Sequence, residues 1–391
     1  MLFAVTLTIA AAAAVSGSPL QPRAEKTIAL PVKQVAKVAS IKNIVNKGIA
    51  RIQKINSLDI TPSHNKARSS GPATNDDVSY VAQVSIGGST WSLIVDTGSS
   101  NLWCGAQTSC EPTSTGQSTG NSVSVSYGSG SMSGTEYTDT VSFGGQSVSS
   151  QSIGAASQAS GFNGVDGIIG FGPVDLTQNT VSNTDTVPTF MDNLYSQGSI
   201  STEVLGVSFR PESGSDDDDN NGELTLGGTD SSKYTGSIKY FPTLQTGQAA
   251  AYWGISVSAF TYGSKTLGSS NNAIVDTGTT LIYIATSAFN AFLSASGGKV
   301  DSASGLASFT TKPTANFGIK FGSTTFTLSP AQYLVPTSQY SNFGLASGKY
   351  YSWINDGGNQ GVDTIIGQKF LENYYSVYDT TNSRIGFATA A

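Results

Sequence analysis

Leu93-Ile94-Val95-Asp96-Thr97-Gly98-Ser99-Ser100 returns 180 residues later as Ala273-Ile274-Val275-Asp276-Thr277-Gly278-Thr279-Thr280. A second element follows each copy, Asp166-Gly167-Ile168-Ile169-Gly170 after the first and Asp363-Thr364-Ile365-Ile366-Gly367 after the second. One apolar strand ending in a turn would carry little weight. Two separated elements recurring in the same order mean two similar halves, hence two lobes. In each copy an apolar β-branched pair delivers a carboxylate to the end of a buried strand. The glycine two residues later permits a tight turn and close approach of another backbone.

If the halves are related by pseudo-symmetry, Asp96 and Asp276 meet. Thr97 and Thr277 can then tie the two loops together through hydroxyl-to-backbone hydrogen bonds, and Ser99 and Thr279 can bond the outer carboxylate oxygens. Two carboxylates so close cannot both ionise, so one pKa falls, the other rises, and the pair holds one proton. Such a pair activates water without histidine or metal: the ionised member takes a proton from a shared water while the protonated member polarises an amide carbonyl. Two other classes compete with this reading. A carboxylate-pair glycosidase would not be expected to place its acids in duplicated strand-turn motifs, and a non-catalytic peptide binder has no need of both carboxylates.

Composition narrows the chemistry further. The 391 residues are 38% hydrophobic and only 12% charged, with 44 Gly and a single His. Abundant Ser, Thr, Gly, Tyr and Val make many short strands joined by polar turns, so the chain reads as all-β with a few helices, for example around 187–197 and 288–293. The net charge of −6 conceals an asymmetry. Residues 1–70 hold 10 Lys+Arg against 2 Asp+Glu, a balance of +8, while 71–391 hold 10 against 24, a balance of −14. His64 lies in the basic part, so the acidic body contains no imidazole. Serine–histidine and cysteine–histidine nucleophiles and imidazole metal ligands are thereby excluded from the body.

The N-terminal part divides in two. Residues 1–17 have an apolar centre, Leu2 to Val15, followed by small residues, which reads as a secretory signal peptide and not a membrane span. Across 26–57, Val32, Val35, Val38, Ile41, Val45, Ile49, Ile52 and Ile55 recur at three- or four-residue steps. Lys33, Lys37, Lys42, Lys47, Arg51 and Lys54 fall mostly between them. This is an amphipathic basic pattern compatible with helix, weakened by Gly48. Alone it would suit a membrane surface or nucleic acid. Beside a −14 body, a detachable basic prosegment over 18–68 is the more economical reading, with processing after Lys66-Ala67-Arg68. Lobes over 69–245, with an inter-lobe region, and over 246–391 complete the division.

At the two Asp-Thr-Gly motifs the sequence resembles the pepsin-like aspartic proteases, most closely the secreted fungal members of the polyporopepsin type. The resemblance spans about 79–391. Tyr127-Gly128-Ser129-Gly130-Ser131 is similar to the family's flap, Gly222-Glu223-Leu224-Thr225-Leu226-Gly227-Gly228-Thr229-Asp230 to its inter-lobe region, and Tyr378-Asp379 with Arg384-Ile385-Gly386-Phe387 to its closing strands. The resemblance implies a bilobal pepsin-like fold with two pseudo-symmetric β-barrel-like lobes and a catalytic pair Asp96 and Asp276. It also implies a flap tyrosine at Tyr127 oriented by Trp103, and backbone at Gly98, Gly278, Gly128 and Ser129 that binds an extended peptide like an added strand. Ile94, Tyr127 and Phe162 are candidate lining residues of apolar side-chain pockets. The implied partners are polypeptide substrates, the chain's own prosegment as an intramolecular inhibitor, and pepstatin-type inhibitors. Nucleic acid, membrane, metal and cofactor are not called for, and a monomer is expected. Within the prosegment, Lys33 and Lys37 are the candidates for contact with the carboxylate pair.

Three weaker signals remain. Cys104 and Cys110 are the only cysteines; six residues apart in a secreted chain they favour one disulfide, worth roughly 2–3 kcal/mol at most, over free buried thiols. Ser215-Asp216-Asp217-Asp218-Asp219-Asn220-Asn221-Gly222 superficially resembles a calcium loop, but the twelfth position from Asp217 is Gly228 and not Glu, so a solvated acidic hairpin is expected. No Asn-x-Ser/Thr sequon occurs.

Overall fold

The computed structural model describes residues 27–37, 40–57, 77–128, 130–211 and 221–391. The signal-peptide reading of 1–17, the processing point after Arg68, Ser129 and the Asp216–Asp219 run lie outside the described residues. Strands dominate, with a few mostly short helices.

The first half closes into a barrel. Strands β2 (Asp77–Ile86), β3 (Ser89–Asp96), β4 (Leu102–Cys104), β5 (Gln117–Ser126), β6 (Ser131–Phe143), β7 (Gln146–Ser160) and β8 (Gly167–Gly170) supply it. The pairing runs β2–β3–β8–β4–β7–β6, and β6 returns to β2 at Ser85 and Ile86, which closes the ring. Its centre is the parallel pair β3 and β8, in register from Leu93 opposite Gly167 to Asp96 opposite Gly170. The second half repeats that pair: Ala273-Ile274-Val275 runs parallel to Thr364-Ile365-Ile366, within a seven-stranded sheet. The two repeated sequence elements are therefore neighbours in each half. The Ile-Ile of the second element is the buried partner of the strand that ends in aspartate, as expected where both faces of a parallel strand are covered.

Between the halves lies an antiparallel array formed by the strands Val204–Phe209, Gly222–Leu226, Tyr234–Pro242, Tyr374–Asp379 and Arg384–Ala390. An N-terminal strand, β1 (Ile28–Lys37), sews this array to the barrel. Its first half pairs with Gly222–Leu226 and its second half with β2.

The periodic run expected as one amphipathic helix across 26–57 is thus strand β1 followed by helix α1 (Ile41–Ser57). The three-residue step from Val32 to Val35 is helical spacing, but Leu30, Val32 and Gln34 are buried at two-residue steps, and Pro31 sits within the segment and would break a helix interior. In the sheet, Pro31 falls where β1 is paired on one side only, the position a strand tolerates.

Helix α1 buries Ile41, Ile44, Val45, Gly48, Ile52 and Ile55, a stripe at three- and four-residue steps. The stripe packs on an apolar floor in the second half that includes Ile274, Leu281, Tyr283, Leu306, Val335 and Tyr351. Gly48 is the closest point of approach. A Cβ there would run into the Tyr283 ring, whose hydroxyl donates to the Val45 carbonyl at 2.8 Å. The glycine that weakens the helix by propensity is what lets it dock. The two other helices expected from sequence run over Phe190–Ser196 and Thr286–Ser296.

Candidate active site

Asp96 and Asp276 end equivalent strands on opposite halves and face one another, 1% and 0% exposed. Each is held in the same way. Gly98 N–H donates to Asp96 Oδ1 at 2.9 Å and Ser99 Oγ to Oδ2 at 2.6 Å. Gly278 N–H donates to Asp276 Oδ1 at 2.9 Å and Thr279 Oγ1 to Oδ2 at 2.6 Å. Behind them the threonines cross. Thr97 N–H donates to Thr277 Oγ1 at 2.9 Å and Thr277 N–H to Thr97 Oγ1 at 3.0 Å. The hydroxyls donate onward to Val275 and Val95 carbonyls on the opposite strands, at 3.2 and 2.9 Å. Four buried hydrogen bonds thus fix the separation of two loops 180 residues apart. The loops meet so closely that a Cβ at Gly98 would strike the Asp276 carboxylate and one at Gly278 the Asp96 carboxylate.

The third member of the site is Arg51 of α1. Its guanidinium donates through Nη2 to Asp96 Oδ1 at 2.7 Å and through Nε to Asp276 Oδ2 at 2.7 Å, with Nη2 also 3.0 Å from Asp276 Oδ1. The cation between the carboxylates therefore comes from the helix, not from the strand that carries Lys33 and Lys37. The planar fork explains the choice: guanidinium addresses two carboxylates at once, whereas an ammonium is a point charge. A sequence signal existed in Arg51 being the one arginine among the basic residues of the amphipathic run, but the choice among six cations needs the docked geometry.

The electrostatics of the pair are unequal. Burial pushes Asp96 up, but the Arg51 charge and the bonds from Ser99 and Gly98 outweigh it and hold its pKa below the ordinary carboxylate value. Burial pushes Asp276 up as well. Arg51 and Thr279 act against this, yet with the neighbouring Asp96 charge the net shift of Asp276 is upward. Burial works against the Arg51 charge, and the two carboxylates more than offset it, so the guanidinium is held charged.

A hairpin of β5 and β6 arches over the pair, with its tip closed by Tyr127 N–H donating to the Gly130 carbonyl at 2.8 Å. Trp103 Nε1, on β4, donates to the Tyr127 hydroxyl at 2.8 Å. Phe162 packs edge-on against both rings, at 4.8 and 5.4 Å between centroids. Gly128 lies against the backbone of α1 at Arg51. Burial raises the Tyr127 hydroxyl well above its ordinary pKa, so it stays a neutral donor. Two cavities flank Arg51. One is lined by Ile94, Asp96, Tyr127, Phe162 and Ile168, and the other by Gly98, Ser99, Tyr127, Leu176 and Tyr252. Cys104 and Cys110 form a disulfide directly after Trp103.

Paired carboxylates at the seam of two β lobes, under a tyrosine-tipped hairpin, match a known class. A family model described as eukaryotic aspartyl protease matches residues 79–390, and the chain belongs to that family of hydrolases. Among individual proteins, it is 49% identical over 336 residues to polyporopepsin of Irpex lacteus, spanning 83% of this chain and 98% of that one. It is 31% identical over 345 residues to human gastricsin, spanning 82% of this chain and 84% of that one. The crystal structure of the aspartic proteinase from Irpex lacteus superposes with a TM-score of 0.78 at 42% identity, covering 94% of this chain and 98% of that one. The pepsin-like fold and the aspartic endopeptidase class follow. No helix among the described residues is long and apolar enough to cross a membrane.

Proposed function

We propose that the protein is a secreted aspartic endopeptidase made as a zymogen, cleaving polypeptides in acid with a preference for hydrophobic residues flanking the cut. Residues 18–68 act as the prosegment, and 69–245 and 246–391 as the two lobes. The observation that carries the reading is Arg51 seated between Asp96 and Asp276. A cation from a basic N-terminal segment occupies the place where a water and a scissile carbonyl would react. Once it leaves, the pair keeps one proton. With one proton between them, one member is the base and the other the acid, and we assign Asp96 as the base and Asp276 as the acid. Asp96 takes a proton from water as the oxygen attacks the carbonyl carbon, and Asp276 protonates the carbonyl oxygen. Asp96 then passes that proton to the amide nitrogen as the C–N bond breaks, and Asp276 takes a proton back from the gem-diol as it becomes the product carboxylic acid, so the pair again holds one proton. Thr97 and Thr277 hold the loops, Ser99 and Thr279 orient the carboxylates, and Tyr127 with Trp103 closes over the substrate. Backbone at Gly98, Gly278, Gly128 and Ser129 pairs with the extended chain, and Ile94 with Phe162 lines an apolar pocket.

The sign of the pH response supports release in acid. Arg51 lowers the proton affinity of both carboxyls, so by linkage protons oppose its docking. The contact is strongest above the values the carboxyls have without it, weakens as pH falls below those values, and is lost as pH falls through the lower values they have beside Arg51. Cleavage of denatured haemoglobin or casein between about pH 3 and 5, blocked by pepstatin, tests the reading. Acid-treated protein that leaves these substrates intact would overturn it.

A further inference from the structure

At the C-terminal end of α1, Asn56 is gripped by the loop 360–362 of the second lobe. Its side-chain amide donates to the Gln360 carbonyl at 2.8 Å and to the Val362 carbonyl at 3.0 Å, while its Oδ1 accepts from Val362 N–H at 2.7 Å. Gln248 donates to the Asn56 carbonyl at 3.1 Å from the other side. Two acceptors and one donor, set to meet a single planar group, are the complement of a primary carboxamide. A carboxylate cannot donate to the two carbonyls, an ammonium cannot accept from the N–H, and an aliphatic group does neither. Gly361 keeps the slot open: its φ is +57°, and a Cβ would run into the side-chain oxygens of Asn56 and Gln248.

These groups all belong to the protease body and stay behind when α1 leaves. We propose that loop 360–362 is a carboxamide-reading subsite of the mature enzyme, taking an Asn or Gln side chain of the substrate polypeptide, with Gln248 placed to meet a main-chain carbonyl of the same segment. The inference rests on the proteolytic reading above and adds a polar preference to an otherwise apolar cleft. The slot is tied to the reacting centre, because the strand Thr364–Ile366 follows it directly and lies parallel to the strand ending in Val275, next to Asp276. Asn56 is five residues beyond Arg51, about 7.5 Å along the helix axis. An extended peptide advances about 3.3 Å per residue, which puts the carboxamide two or three residues from the cut bond.

The test uses acid-matured enzyme and peptides with one apolar cleavage site, carrying Gln, Asn, Glu, Leu or Lys at the second or third position on either side. At one of these positions Gln or Asn should raise kcat/KM about tenfold over Leu and Glu, the worth of one to two neutral hydrogen bonds. In Gly361→Ala that ratio should fall toward one, whereas Gln248→Leu, which removes only a bond to a main-chain carbonyl, should lower kcat/KM for the Gln and Leu peptides alike. Equal kcat/KM for Gln and Leu at every position, or a ratio that survives Gly361→Ala, overturns the subsite while cleavage of the Leu peptide keeps the protease reading. Failure to cleave any peptide overturns both.

Discussion

Around Asp96 and around Asp276 the chain makes the same hydrogen bonds at nearly the same lengths, yet the two halves cover their carboxylates by different means. The first half carries its own cover, the β5–β6 hairpin with Tyr127 braced by Trp103 and Phe162. The second half offers an apolar floor around Tyr283, Leu306 and Val335, and what covers it is α1 from the basic N-terminal segment. The duplicated core fixes two groups in space, and on the proposed reading the unduplicated covers decide when they can work. The charges follow the same division: equal first neighbours, but Asp96 shifted down and Asp276 up.

The most drastic way to break the comparison is to neutralise either carboxylate. Asp96→Asn and Asp276→Asn should each lower kcat/KM for an acid substrate by about 10²–10⁴-fold. Thermal unfolding should remain cooperative. Activity persisting in one of the two variants would mean that the halves are not partners. Next in size is Arg51→Met in the full-length chain. It removes the charge that lowers both carboxyls, so the pH below which the N-terminal segment is released should move upward and the transition should become less steep. Following intact chain by gel across pH 3 to 7 checks this, and an unchanged profile would separate α1 from the switch.

A smaller effect sharpens the asymmetry. The Ser99 and Thr279 hydroxyls each lower the pKa of their own carboxyl, so Ser99→Ala should raise Asp96 and Thr279→Val should raise Asp276. In the kcat/KM profile of the mature enzyme, Ser99→Ala moves the acidic limb toward neutrality and Thr279→Val moves the other limb the same way. Rates at the optimum should fall about ten- to a hundredfold, the worth of one hydrogen bond to a charged group. Tyr127→Phe is expected to be the mildest change, because the ring keeps its packing on Phe162 and only the bond from Trp103 Nε1 is lost. A rise in KM of a few fold with kcat nearly preserved is the outcome to look for.

What could be read from the sequence follows from how local its causes are. Asp96-Thr97-Gly98 and its repeat carry their strand, their turn and their hydroxyl partners within a few residues, so the paired carboxylates and crossing threonines were legible before any fold was known. The companion Asp-x-Ile-Ile-Gly elements were legible as a repeat, though not as parallel neighbours of the aspartate strands. Helix α1 was only half legible. Its apolar stripe is local, but Arg51 is singled out by where the helix lies, and that depends on Gly48 fitting against Tyr283, 235 residues away. Strand β1 was hidden because the step from Val32 to Val35 reads as helix while its buried face, Leu30, Val32 and Gln34, includes a polar residue, and the partners at Gly222–Leu226 and β2 decide for the strand. The slot at 360–362 is built from backbone groups and leaves no mark on residue type except Gly361.

The central claim is that the carboxylate pair is catalytic and is capped by the chain's own basic segment. N-terminal sequencing of the full-length protein before and after acid treatment, with and without pepstatin and alongside Asp276→Asn, addresses it most directly. The account predicts that acid yields a new N-terminus beyond Ser57, with α1 removed, and that pepstatin and the substitution each prevent it. A chain that digests substrate in acid while keeping α1, or that loses it equally in the presence of pepstatin and in Asp276→Asn, would contradict the account.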